Sequence, residues 1–373
     1  MRLRFGIWQP DRLHHTYAIG ATGVGKTSML ETFIRQDIEA GRGVAVIEPH
    51  GDLALRVRAI AERLAPERTV YLDPSDPTQS FGYNPLRHVR YDTIPLAASG
   101  LIETLRKLWP DAWGVRMEHL LRNSLYALLE HPEARLPDLL RLYADKDYRK
   151  AIARGLKNEV VRHFWQHEFE NYPDRLKIEA TAPIQNKLGG FLTDPRLYRV
   201  LVAPAIDIKF RTLMDRGGIF IANLAKGRLG EDGTNVLGGL ILSTISLAAL
   251  TRADLPPAAR RPFFVYVDEF HSFTTQAFVN MLAELRKMDV GLVLANQSLS
   301  SLDLTVRQAV LANVGTLIAF RTGAEDAAAI AREMQPVVQP EDLIALPNRH
   351  MYVKLMIDGT PSRPFSATTL PLS

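Results

Sequence analysis

The stretch YAIGATGVGKTSML, Tyr17–Leu30, constrains the fold more than any other part of the chain. A short apolar run ends at a glycine-rich turn, and a helical pattern follows from about Lys26 to Ala40. Gly20, Gly25, Lys26 and Thr27 match G-x-x-x-x-G-K-[ST] in full. Such a loop works only where a buried strand feeds it and a helix leaves it, because backbone N–H groups must curl around an anion and the helix N-terminus must face it. A strand that runs straight into a helix needs a crossover back to the next strand, so the motif predicts a parallel sheet covered by helices.

Other segments repeat the alternation. GVAVIE and TVYLD read as buried strands, separated by a helix with Leu53, Val57, Ile60 and Leu64 at helical spacing. From Leu86 to about Ile206 strand signals give way to helical stripes such as Met117, Leu121, Leu125 and Leu128. Strands resume at GGIFIANL, FFVYVDE, VGLVLANQ, GTLIAF and HMYVKLMI. The expectation is an α/β unit made of 1–85 and 207–373, with a mostly parallel central sheet, interrupted by an all-α subdomain at 86–206. The longest apolar run, Val236 to Leu250, is shorter than the roughly 20 residues of a membrane span and reads as a core helix. No signal peptide is visible, since polar residues follow Arg2 and Arg4.

The loop predicts the chemistry of one ligand. Gly20, Ala21, Thr22, Gly23, Val24, Gly25, Lys26, Thr27 and Ser28 form a phosphate cradle for ATP, with Lys26 reaching the β- and γ-phosphates and the Thr27 hydroxyl on Mg²⁺. The run FFVYVDEF delivers Asp268 to a strand end, where it can hold the Mg²⁺ shell, and Glu269 beside it can orient and deprotonate water. A further strand ends at Asn296 and Gln297, whose amides can read a γ-phosphate. Arg286, at the end of the preceding helix, is placed to reach out of its own subunit. On their own residues, Arg286 also reads as a solvated helix-end cation and the amides as loop caps.

Composition excludes more than it identifies. The absence of cysteine rules out disulfides, cysteine–zinc sites and thiol nucleophiles. Forty-five basic residues against 41 acidic ones are too mild an excess to name a nucleic-acid partner. His271 and the His14–His15 pair read as structural, with no ligand spacing around them.

GATGVGKT, IEPHGD, YNPL, VYVDEF and above all LRKMDVGLVLANQSLSSL together resemble the HerA/FtsK superfamily of hexameric DNA-pumping ATPases. Within it the similarity is greatest to the coupling proteins of bacterial conjugation and type IV secretion. The resemblance runs from about Tyr17 to Phe320 and implies a RecA-like P-loop domain with a helical insertion. It also implies roles: Lys26 and Thr27 on phosphate and metal, Asp268 on metal, Glu269 on water, Gln297 as γ-phosphate sensor, and Arg286 as a finger acting on a neighbouring subunit's ATP. Implied partners are DNA held through its backbone, further copies in a homohexamer, and relaxosome or type IV secretion components. The implied location is cytoplasmic, at the inner face of the inner membrane, with any membrane attachment through a segment outside this chain.

Two departures stand out. Neither the membrane helices of coupling proteins nor the small β-barrel of many HerA-like proteins precedes the first strand. Glu48 stands where the family more often has Asp, which leaves its role open, as is that of Arg321 between a second phosphate sensor and an interface salt bridge. The expected function is an ATP-driven DNA translocase, with AKGRLGEDG, carrying Lys226 and Arg228, as a candidate channel loop. Two alternatives remain open: a HerA-like helicase working with a nuclease, and a secretion ATPase that powers assembly or protein export without gripping DNA. A non-hydrolysing scaffold is disfavoured by the intact Glu269.

Overall fold

The computed structural model describes residues 4–370 except His88 and Ala203. Nine strands form one sheet: β1 (Thr16–Ile19), β2 (Gly43–Glu48), β3 (Thr69–Leu72), β4 (Ile219–Asn223), β5 (Phe263–Val267), β6 (Val290–Asn296), β7 (Thr316–Ala319), β8 (His350–Lys354) and β9 (Phe365–Thr368). Their order is β9-β8-β7-β1-β6-β5-β2-β4-β3. The pairs among β7, β1, β6, β5, β2 and β4 are parallel, and β8 and β9 turn antiparallel at one side. The inner strands are buried at every position, as expected when helices cover both faces. In β8 burial alternates, because that part of the sheet is covered less completely.

The period of two along each strand sorts the core. Ala18, Val44, Val46, Ile219, Ile221, Phe264, Tyr266, Val293 and Ile318 share one core with Met29, Leu30, Ile34 and Ile38 of helix Lys26–Glu39 and with Leu53, Val57 and Ile60 of helix Asp52–Leu64. Leu64, expected to close that stripe, is exposed. The intervening residues point to the other face, where helix Gln276–Lys287 lies against β6 through buried Phe278, Leu282 and Leu285. Each fully buried Leu or Ile of this kind contributes about 1.5–3 kcal/mol.

Packing divides the chain into two compact units. One holds the sheet: residues up to Tyr71, 211–225, and from Arg252 onward; the other is helical, 72–210 with 226–251. This line differs from a break at 207. Helix Glu231–Leu250 groups with the helical unit because it is apolar nearly all round, and it packs on helix Ile94–Leu108. A Cβ on Gly100 would meet Ser243 Oγ at 2.2 Å, so glycine is what lets these two helices close up. The stretch Glu231–Asp254 is long and apolar enough to cross a membrane by length and composition, and 61% of its apolar window is buried within the protein. Elsewhere in the helical unit Phe164, Trp165, Phe169, Tyr143 and Tyr172 form an aromatic cluster, and Trp165 Nε1 donates to the Asn123 carbonyl at 3.2 Å.

Candidate nucleotide site

Register brings three strand ends together. Ile19 of β1 lies opposite Asn296 of β6, and Leu294 of β6 opposite Val267 of β5. Gly20, Gln297 and the pair Asp268–Glu269 therefore emerge side by side at the C-terminal edge of the sheet. The loop from Gly20 has its shape from glycine at three places. Gly23 and Gly25 take φ of +76° and +117°, where an L side chain is strained. A Cβ on Gly20 would sit 2.5 Å from Phe320 Cβ. The Ala21 N–H donates to the Arg321 carbonyl at 2.8 Å, and the Arg349 N–H donates to the Val24 carbonyl at 2.7 Å, so the loop is braced from the far end of the chain. Lys26 is buried, and its Nζ donates to the carbonyls of Gly20 and Ala21, the latter at 3.0 Å. Burial lowers its pKa, while Glu269 and Asp268 work in the opposite direction. Thr27 and Ser28 follow in the first helical turn.

Opposite the loop stand three carboxylates. Asp268 continues the ladder through its N–H to the Ile47 carbonyl at 3.2 Å, and its Oδ1 accepts the Glu269 N–H at 3.0 Å. Burial, then the charges of Glu269 and Glu48, push its pKa up to about 6. Phe270 packs edge-on to Tyr17 with ring centroids 5.8 Å apart, and the chain turns there by placing Glu269 at φ +47°. A non-glycine residue in that region costs about 1–3 kcal/mol. Glu269 is buried, which acts to raise its pKa, yet the adjacent His271 and Gln297 side chains and the charge of Lys26 bring it below the usual range. His271 Nδ1 stands 3.3 Å from Glu269 Oε2. Gln297 Oε1 accepts the Thr22 hydroxyl at 2.8 Å, which leaves its NH₂ group to donate to Glu269. Thr22, Gln297, Glu269 and His271 thus form one polar chain from the loop to the acidic turn.

Glu48 has a local task. Its Oε1 accepts the His50 N–H at 2.7 Å and its Oε2 accepts the Gly51 N–H, which holds the turn after β2. It adds a third negative charge that Asp268 feels. No cluster of three or more His, Cys, Asp or Glu that could hold a metal exists among the described residues. The donor set fits Mg²⁺ nonetheless: a hydroxyl, Thr27, and one carboxylate, Asp268, with phosphate and water completing a shell of oxygens, as is usual for this ion. The repulsion that raises the Asp268 pKa is what a dication would offset.

Arg286 is not brought to this site. It is exposed at the end of helix Gln276–Lys287, at the opposite edge of the sheet, where it lines a cleft with His14, His15, Lys287 and Asn313. The four residues of β1 alone separate the two edges by about 13 Å. The helix end is held firmly. Arg252 donates to the Met288 carbonyl at 2.8 Å, Arg260 to that of Lys287 at 2.6 Å, and His15 Nε2 to that of Leu282 at 2.8 Å. Arg321 meets the loop through its main chain, and its guanidinium reaches the Leu346 carbonyl at 3.4 Å. Lys226 and Arg228 belong to a short helix, Lys226–Leu229, in the helical unit. They lie 4.0 Å from Glu231 and 3.7 Å from Asp73 respectively, so the segment is a paired surface and not an open glycine loop. His271, which the sequence reads as structural, stands beside Glu269, and Arg349, which the sequence does not single out, braces the loop. The only local signal for His271 was its place two residues after Glu269.

No protein-family model matches the sequence, and no curated protein matches it. Solved structures do. The bacterial conjugative coupling protein TrwB, in an unbound form lacking its N-terminal segment, is similar with a TM-score of 0.71 at 17% identity, covering 97% of this chain and 86% of that one. TrwB with ADP and Mg²⁺ gives 0.69 at 17% identity, over 96% and 85%. VirB4 of Thermoanaerobacter pseudethanolicus gives 0.62 at 13% identity, over 96% and 89%. At these identities the likeness is one of fold: a RecA-like P-loop fold with a mostly parallel central sheet, shared with TrwB and VirB4.

Proposed function

We propose that the chain is an ATP-hydrolysing motor of a conjugation or type IV secretion machine, which assembles as a hexameric ring and moves DNA through it. The observation that carries this reading is the alignment of Lys26, Asp268, Glu269 and Gln297 at one sheet edge, within a fold that TrwB and VirB4 share over nearly the whole chain. TrwB has been crystallised with an ATP analogue and with ADP and Mg²⁺, which supports ATP and Mg²⁺ as the ligands here.

The residues divide the work as follows. Lys26 exchanges the carbonyls of Gly20 and Ala21 for β- and γ-phosphate oxygens, with the N–H groups of the loop from Gly23 to Ser28 around them. Thr27 and Asp268 would hold Mg²⁺, which would supply charge neutralisation at the phosphates. Glu269 orients the attacking water and takes its proton. Gln297 leaves Thr22 to report the γ-phosphate. Arg286, too far from its own loop, serves the site of the adjacent subunit, where its planar fork stays charged and meets phosphate bidentately. The partners on this reading are DNA, through its backbone, and relaxosome or secretion components, at the cytoplasmic face of the inner membrane.

A second reading has an observation in its favour. Lys226 and Arg228 have carboxylates nearby within the chain, and VirB4 shares the fold, so a secretion ATPase that does not grip DNA also fits. DNA-stimulated turnover separates the two. On the first reading, single- or double-stranded DNA raises the ATPase rate of the assembled oligomer at low salt, and the stimulation falls steeply as salt rises, because phosphate contacts release counterions. A rate indifferent to DNA at low salt favours the second.

A further inference from the structure

Glu269 has two side-chain partners with different futures in a catalytic cycle. Gln297 also bonds Thr22 on the phosphate loop, so it lies where nucleotide must disturb it. His271 approaches the same carboxylate from the acidic turn, with Nδ1 3.3 Å from Oε2. When Gln297 engages a γ-phosphate, Glu269 keeps His271 alone of these two. A carboxylate that must meet one water within a few tenths of an ångström gains little from correct sequence position if its side chain is free to swing.

The mounting of the imidazole suits a tether. His271 sits in a short 3₁₀ turn, Phe270–Ser272, between two buried neighbours. Its N–H donates to Asn296 Oδ1 at 3.3 Å, and Asn296 is fully buried at the end of β6. The ring is therefore carried by the strand end that precedes Gln297 as well as by the turn that follows Glu269. A carboxylate has about four acceptor positions, so an imidazole on Oε2 leaves room for a water on the same group.

We infer that His271 is a positioning residue for hydrolysis, holding the Glu269 carboxylate in place while Gln297 is engaged with nucleotide. It neither touches substrate nor takes the proton, which goes from water to Glu269. The inference rests on Glu269 being the group that activates water. Because the His271 side chain is 30% exposed, its removal leaves no sealed core cavity, and variants here are expected to fold.

The test compares His271→Ala, His271→Gln and Glu269→Gln with the parent as assembled oligomers. Binding is followed with a fluorescent ATP analogue, turnover by phosphate release, and transition-state fit by trapping of ADP with aluminium fluoride. His271→Ala is expected to bind the analogue as the parent does, to lose roughly tenfold to hundredfold in kcat, and to trap ADP–aluminium fluoride poorly. His271→Gln, which keeps a donor, is expected to recover most of both losses. Parent-like kcat in His271→Ala, a raised kcat, or a loss that His271→Gln shares in full would each overturn the inference. Parental turnover in Glu269→Gln would instead sink the reading of Glu269 itself, so the two failures are told apart.

Discussion

His15 stands one position before β1, fully buried, and its two ring nitrogens are committed. Nε2 donates to the Leu282 carbonyl at 2.8 Å, and Nδ1 accepts the Leu292 N–H at 3.1 Å. Burial, aided by the charges of His14 and Arg286 and opposed by the bond to Leu282, lowers its pKa to about 4 from 6.5. The unfolded chain therefore binds a proton that the folded one refuses. The resulting stability is complete above pH 6.5 and is lost as pH falls toward 4, with about 2 kcal/mol gone by pH 5. Urea unfolding of the parent and of His15→Gln at pH 7.5 and pH 5 checks this: the parent should lose about 2 kcal/mol more than the variant, and equal losses would contradict it. Residue by residue, the local motifs were the legible part. Lys26, Thr27, Asp268 and Glu269 announce themselves because short sequence spacing fixes their placement relative to a strand end. Glu48 and His271 did not, because their partners are set by turns whose geometry, Gly51 at φ +100° and Glu269 at φ +47°, is not written in residue type alone.

Among the elements, helix Gln276–Lys287 is the one that, on the proposed reading, would join chemistry to assembly. It runs from the nucleotide edge of the sheet to the far edge, where Arg252 and Arg260 hold its C-terminal end, and His15 holds the carbonyl of Leu282. A finger that acts across a subunit boundary needs such a fixed base, since its own side chain is long and exposed. Arg260→Met removes the donors to the carbonyls of Arg252, Leu255 and Lys287 while keeping an apolar stem. The expected result is unchanged ATP-analogue binding with hydrolysis slowed several-fold and about 1–2 kcal/mol of stability lost; parental turnover would show that the grip is irrelevant to catalysis. The inner strands of the sheet were readable as unbroken apolar runs, which burial on both faces produces. Strand β9 was not, because Phe365–Thr368 is only partly buried and carries no such run. The run Val236–Leu250 reads as a core helix from its apolarity, but its partner, helix Ile94–Leu108, is set by packing and not by sequence order.

For the molecule as a whole, the proposed motor turns on Arg286, which stands exposed at the edge of the sheet away from its own loop. A P-loop site that is complete within one chain would describe a solitary ATPase, whereas the arginine on the far sheet edge is useful to hydrolysis only if another copy presents its loop there. The most direct measurement mixes two inactive proteins. Arg286→Ala has an intact nucleotide site and Lys26→Ala an intact finger, so in a mixed ring the second kind can complete the site of the first. Each protein alone should hydrolyse ATP slowly, with Arg286→Ala still binding it and losing on the order of 10³–10⁵ in rate. Mixed rings should regain hydrolysis in proportion to the number of productive neighbours. No recovery on mixing, with co-assembly verified by light scattering and differential labelling, would contradict the trans role of Arg286 and the ring motor built on it.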